Sequence, residues 1–323
     1  MKNNSKIAKA PVAKAPEIEK EIEADMEVED EENIADYSKS GKIATEVVKY
    51  ARSIVKKGVP LLEIADKIEE KIIQLGGKPA FPTNLSINDI AAHYTPNHDD
   101  KTLASGLIKV DLGVHVNGHV VDTAFSVDLE NSSENKKLIE ASEKALAGAI
   151  KTIKENVEIN KIGLAVQNEI TALGYSPIRN LSGHEIRKYN LHAGITIPNC
   201  DNGNKNELPE GVYAIEPFAT NGLGQVYDGG ESGIYRYVER KGIRDMTARK
   251  ILDYIEEEFL ILPFCERWIY KKFGIRTAMS LRLLEQAGAI SQFSQLIEKN
   301  HGIVSQAENT VMILDGKVEV LVK

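Results

Sequence analysis

From Tyr37 onward apolar residues recur at helical spacing: Ile43, Val47, Ala51 and Val55 share one face, and Leu61 to about Leu75 predicts a second helix. Gly76-Gly77 closes that helix, and Pro79 to Pro82 begin an extended stretch. Leu107–Val116 and His119–Leu129 are then apolar-rich runs separated by Asn117-Gly118. Asn-Gly accommodates the positive φ angles of a type I′ turn, so the pair predicts a β-hairpin. Helices follow over about Asn135–Asn156 and Lys161–Leu173, the second broken by Gly174, with short strands and loops to about Tyr237. Residues 244–300 turn helical again (Thr247–Phe259, Cys265–Phe273, Thr277–Ala287). Strand-rich segments flank this block on both sides, which predicts an insertion at 241–300 into a parent domain made of 33–240 and 301–323. No repeat of short period is present.

Residues 1–32 carry no such pattern. Lys2, Lys6, Lys9 and Lys14 stand among Ala and Pro, followed by an acidic run from Glu17 to Glu32. With ten acids against five lysines the stretch holds −5 of the net −8. It has no apolar face to offset the entropy of ordering, so a disordered charged tail is expected. A solubilising role is the plain reading, a ribosome-contacting arm the alternative. The balance of about −3 on the rest argues against non-specific nucleic-acid binding. The insertion, with ten basic and eight acidic residues, is too even for a DNA surface.

Hydrophobic residues at 42% and charged residues at 27% describe a globular chain with a core. Cys200 and Cys265 lie far apart in no metal-like spacing, so free thiols in a reducing compartment are expected. No apolar run approaches the roughly 20 residues of a membrane span, and no signal-like segment opens the chain. The expectation is a cytoplasmic protein without a membrane partner.

The hairpin carries the most informative chemistry. A two-residue turn at 117–118 pairs Val116 with His119, so Asp111 falls opposite Ala124 and Asp122 opposite Gly113. Side chains alternate along a strand, so both aspartates point to one face, about 7–8 Å apart at Cα. Both sit in apolar runs, and burying two neighbouring carboxylates costs several kcal/mol unless a cation compensates. The hairpin alone leaves two readings open: a metal site, or the solvent-facing polar face of an antiparallel sheet. Glu216 in Val212–Phe218 and Glu308 in Val304–Val311 add lone carboxylates inside apolar strands, and Gly183-His184 and Leu191-His192-Ala193-Gly194 add imidazoles. Four carboxylates, at least one imidazole and no thiolate suit Mn, Fe, Co or Zn in a two-metal site rather than a structural zinc. Paired ions of this kind serve hydrolysis.

The order Asp111, Asp122, His184, Glu216, Glu308 resembles the "pita-bread" metallopeptidases, the fold shared by methionine aminopeptidases and prolidases. Pro79–Asn88, Ala91–Pro96, Asn180–His184, Leu191–Gly194 and Tyr213–Phe218 look like type 2 methionine aminopeptidase, as does Leu262–Trp268 in the helical insertion. The likeness covers about residues 37–323. It implies an α+β fold, an antiparallel sheet backed by helices, with an inserted winged-helix-like subdomain. It implies a monomeric enzyme that takes initiator methionine from nascent polypeptides when the second residue is small, using two divalent ions. By that resemblance Asp111 would chelate one ion, Asp122 and Glu308 would bridge both, and His184 and Glu216 would complete the other. Glu216 would also act as general base, His93 and His192 would contact the substrate amide and the oxyanion, and Phe81, Phe218 and Phe293 would line the methionine pocket. A prolidase or Xaa-Pro aminopeptidase would use the same ligands, and a ligand-losing ribosome- or RNA-binding relative is the non-enzymatic alternative.

Two departures stand out. The family pattern around the last ligand is Gln-Phe-Glu-His, whereas this chain has Gln306-Ala307-Glu308-Asn309. Loss of the aromatic and the imidazole is expected to loosen packing or shift metal preference. The tail is also shorter than in large eukaryotic members, which points to an archaeal-type protein.

Overall fold

A computed structural model describes residues 31–323, so nearly all of the expected tail lies outside the described residues. Helices α1 (Glu31–Ile54) and α2 (Leu61–Gln74) come first. Leu61, Ile64, Ala65, Ile68 and Ile72 form the buried stripe of α2, the spacing that keeps residues on one helical face. Strands β1 (Lys78–Ile87), β2 (Ile90–Ala92), β3 (Leu107–Val116) and β4 (His119–Asp128) follow. β1, β3 and β4 form an antiparallel sheet, and α1 and α2 share a core with it. The hairpin register is the expected one: Val116 pairs with His119, Asp111 with Ala124 and Gly113 with Asp122. Asn117 and Gly118 have φ of 51° and 88°, as a type I′ turn requires.

The second half repeats the plan of two helices on an antiparallel sheet. α3 (Ser133–Thr152) is capped by Ser132, which accepts a hydrogen bond from the Asn135 N–H, and α4 (Ile159–Ala172) packs beside it. Strands β5 (Ser176–Pro177), β6 (Ser182–Ile186), β7 (Thr196–Pro198), β8 (Gly211–Ile215), β9 (Phe218–Thr220) and β10 (Val226–Tyr237) come next. Beyond them lie α5 (Met246–Phe259), β11 (Phe264–Cys265), α6 (Glu266–Phe273), α7 (Thr277–Gln286), β12 (Ile290–Glu298), β13 (Val304–Gln306), β14 (Asn309–Leu314) and β15 (Lys317–Val320). The main sheet of this half runs β15-β14-β8-β6-β7, and its Tyr213, Ile215, Val311 and Ile313 pack with residues of α3 and α4.

The halves meet where β4 passes Glu308 and β14. Glu308 N–H donates to Ala124 O at 2.9 Å. The Thr310 hydroxyl accepts from Asp122 N–H and donates to Asp122 O, each at 2.8 Å. This seam brings the carboxylates of both halves together. Antiparallel sheets backed by helices are the expected α+β class.

The expected helical block over 241–300 is shorter in the structure. Its helices lie between Met246 and Gln286, and residues 290–298 form β12, paired to both β10 and β2. Ile290, Phe293, Leu296 and Ile297 show no two-residue alternation, so pairing with β10 overrides the local pattern. Helices α5 to α7 enclose a core of their own, with Ile251, Ile255, Phe264, Leu281 and Leu284. Among the described residues no helix is long and apolar enough to cross a membrane.

Candidate metal and substrate site

Asp111 and Asp122 stand on one face of the β3–β4 hairpin. His184 projects from the middle of β6. Gly183 before it allows β6 to approach β8, since a Cβ there would lie 2.2 Å from Ala214 O. Glu216 follows β8 by one residue, and Glu308 sits between β13 and β14. The strands converge so that His184 Nε2 is 3.7 Å from Asp122 Oδ2 and 3.9 Å from Glu216 Oε1. One ligand atom each of Asp122, His184 and Glu308 falls within 4.8 Å of the others. Gln306 ties in Asp111, its Nε2 lying 3.4 Å from Asp111 Oδ2 and 3.3 Å from Glu308 Oε2.

Asp111 Oδ1, Asp122 Oδ1 and Glu308 Oε1 are buried without a hydrogen-bond partner. Bare carboxylate oxygens in a protein interior are costly. Burial pushes Asp111 up to about 7. Burial, reinforced by repulsion from the neighbouring acids, holds Asp122, Glu216 and Glu308 well above the ordinary carboxylate range. Burial also pulls His184 down to about 4, leaving a neutral imidazole. Acids that cannot all ionise without a cation, beside one neutral nitrogen donor, fit divalent ions of the oxygen-preferring and borderline kinds.

A cavity of about 70 Å³ opens onto these donors, with Phe81, His93, His192 and Phe293 in its wall. Burial lowers the pKa of His93 and keeps it neutral. Its Nδ1 lies 3.2 Å from Ser294 O. A carbonyl only accepts, so Nδ1 carries the proton and Nε2 keeps a lone pair. His192 is held neutral by burial and by the neighbouring His184, His93 and Arg236, and its ring stands 4.6 Å from that of His184. Phe293 packs edge-on to His93 at 5.4 Å. Phe81 has room only because position 113 is glycine, where a Cβ would meet its ring at 2.3 Å.

Phe218 is not in that wall. It is buried in a separate cluster with Ala91, Ile178, Val226 and Val304. At the start of β9 it pairs with Gln306, and its side chain joins that core rather than the cavity.

The profile of metallopeptidase family M24 matches residues 35–258. A curated methionine aminopeptidase of Methanocaldococcus jannaschii is 44% identical over 301 residues, 92% of this chain and 100% of that protein. The chain belongs to the methionine aminopeptidases of family M24. Among solved structures, a thermophilic Arx1 matches with a TM-score of 0.78 at 14% identity, over 91% of this chain and 92% of that one. The methionine aminopeptidase of Thermotoga maritima matches with a TM-score of 0.66 at 19% identity, over 92% and 98%. At such identities both likenesses concern the fold alone.

In this family M24 chain the cavity also uses residues that sequence reasoning missed. Asn84 pairs with Asp111 across β1 and β3, and its Oδ1 is buried without a partner. Its place three residues after Phe81 was the available signal. Ala92 from β2, Leu191, Ile234 from β10 and Pro263 just before β11 complete the apolar wall. An apolar residue in apolar surroundings carries no local mark of facing a cavity. The departure at 309 has a structural use: Asn309 Nδ2 donates to Val322 O at 2.8 Å and its Oδ1 accepts from Val322 N–H at 3.2 Å, pinning residue 322 beside β14.

Proposed function

We propose that this chain removes the initiator methionine from nascent polypeptides when the second residue is small, acting in the cytoplasm as a monomer that meets its substrates near the ribosome. The observation that carries the reading is the meeting of orphaned carboxylates with two neutral histidines and two phenylalanines at one cavity. The 44% identity to a methionine aminopeptidase supports the same reaction.

Asp111, Asp122, His184, Glu216 and Glu308 would hold two divalent ions, with Co, Mn, Fe or Zn as the metal. Such a pair, when bound, makes water a usable nucleophile near neutral pH and polarises the scissile carbonyl. Glu216 would take the proton of the attacking water. His93, its Nδ1–H directed to Ser294 O, offers Nε2 as acceptor for the substrate amide N–H. His192 donates its remaining N–H to the oxyanion as charge develops there. Phe81 and Phe293 would hold the flexible thioether side chain through apolar and sulfur–aromatic contact.

Turnover of Met-Ala-Ser, Met-Lys-Ser and Ala-Pro peptides, with Mn, Fe, Co and Zn supplied in turn, tests the proposal. Cleavage of Met-Ala-Ser with little action on the other two is expected. Preferential cleavage of Ala-Pro would establish a prolidase. Failure on every peptide with no metal retained would establish a non-catalytic relative.

A further inference from the structure

Arg267, in the first turn of α6, has no exposed surface, and the reaction proposed above makes no use of it. Its guanidinium forks onto Glu69 of α2, with Nη1 2.7 Å from Oε2 and Nη2 2.9 Å from Oε1. Nη1 also reaches Asp66 at 3.2 Å, Nε donates to Pro96 O at 3.0 Å, and Nη2 donates to Thr95 Oγ1 at 3.3 Å. Glu69 is equally engaged: Oε1 accepts from Thr83 N–H at 3.1 Å and Oε2 from the Trp268 indole N–H at 2.7 Å. Thr95 in turn donates its hydroxyl proton to Thr83 O at 2.8 Å. A guanidinium without solvent persists only where its donors are matched this fully, and the fork geometry belongs to arginine rather than lysine.

Three members of this network, Thr83, Thr95 and Arg267, stand close in sequence to residues in the wall of the substrate cavity. Thr83 lies in the irregular stretch of β1 between Phe81, which pairs with Gly113, and Asn84, which pairs with Asp111. Thr95 is two residues past His93, whose φ of 62° is a conformation that a non-glycine residue holds only where its neighbours enforce it. Arg267 itself is four residues past Pro263, which lines the cavity. None of the network's hydrogen bonds involves Asp111, Asp122, His184, Glu216 or Glu308.

We propose that Arg267, locked onto Glu69, is a positioning residue through which the inserted helices set His93, and with it Phe81 and Pro263, against the substrate. The inference rests on the reading that places His93 at the substrate amide. It makes the insertion a brace for the substrate side of the site, while the metal side stands on its own strands.

The test uses the metal-loaded full chain. Thr95→Val removes the hydroxyl that joins Arg267 to Thr83, and Arg267→Lys keeps the charge and loses the fork. Both variants should bind metal as the wild type does, with kcat/KM on Met-Ala-Ser lowered about tenfold. In a His93→Gln background, Thr95→Val should cost less than about twofold, because its effect passes through His93. Wild-type kinetics in Thr95→Val and Arg267→Lys, a parallel loss of metal affinity, or the same tenfold drop in both backgrounds would overturn the inference. Should Arg267→Lys not fold, Thr95→Val alone and in the double variant decides it. A kinetically silent His93→Gln would remove the site reading and this inference with it. An impaired His93→Gln with fully additive Thr95→Val would remove this inference alone.

Discussion

On the acidic side of the cavity Asp111 and Asp122 stand on paired strands, and the backbone of Glu308 is bonded to Ala124 of the same hairpin. On the apolar side Phe81 borders an irregularity in β1, His93 adopts a left-handed backbone, Phe293 comes from β12 and Pro263 from the link between α5 and β11. Strand ladders aim the first set, because alternation and register dictate where each side chain points. The second set is brought together by distant contacts, including a buried ion pair between α2 and α6. The acids that lie close together stand on or directly beside paired strands, whereas the apolar wall is assembled from elements far apart in sequence.

Glu308→Ala should break the acidic side most completely. Metal occupancy should be lost and turnover should fall by about 1,000-fold or more. Melted in chelator, the variant should nevertheless be more stable than the stripped wild type, since one of four mutually repelling buried carboxylates is gone. Metal analysis, a peptidase assay and thermal melts check this; a lower melting temperature in chelator would contradict the repulsion argument.

A smaller effect should separate the two sides by pH. Burial raises Asp111 from 3.8 to about 7 in the folded protein stripped of metal. Between those values the folded state keeps a proton that the unfolded state has released. Stability is therefore fully present below about 4 and falls as pH rises towards 7, by up to about 1.4 kcal/mol per pH unit for each such proton. The neutral imidazoles His93, His184 and His192 act in the opposite sense, so the Asp111 contribution is read against Asp111→Asn. In chelator, urea melts should show the wild type losing stability relative to that variant as pH rises from about 4 to 7, with the same difference in a Phe293→Ala background. A wild type that gains stability relative to Asp111→Asn over that range would mean that the acid is relieved in some other way.

The smallest change expected is for Asn309→Ala. Losing the paired hydrogen bonds to Val322 should cost about 1–2 kcal/mol in a chemical melt, with turnover within about twofold of the wild type. A marked loss of metal instead would place Asn309 among the supports of Glu308.

Much of the acidic side was legible in the sequence. Asn117-Gly118 sets the turn, the turn sets the register, and the register puts Asp111 and Asp122 on one face, as the structure has them. Helix α2 begins at Leu61, where its apolar stripe begins. Strand β12 was not legible, because its apolar positions do not alternate and its pairing partners lie far away in sequence. Phe218 shows a related limit: the family resemblance implies a pocket residue, whereas here it is buried in a neighbouring core with Ala91 and Val304.

The sequence by itself determined the local geometry: helical stripes, the hairpin, and carboxylates placed where an apolar strand has no use for them. Short-range sterics and side-chain period suffice for that. Tertiary structure alone decided that β4 would meet Glu308, that Pro263 would join the cavity, and that Arg267 would be sealed against Glu69. Those meetings depend on how separate faces bury one another, and burial is a property of the assembled chain rather than of any segment.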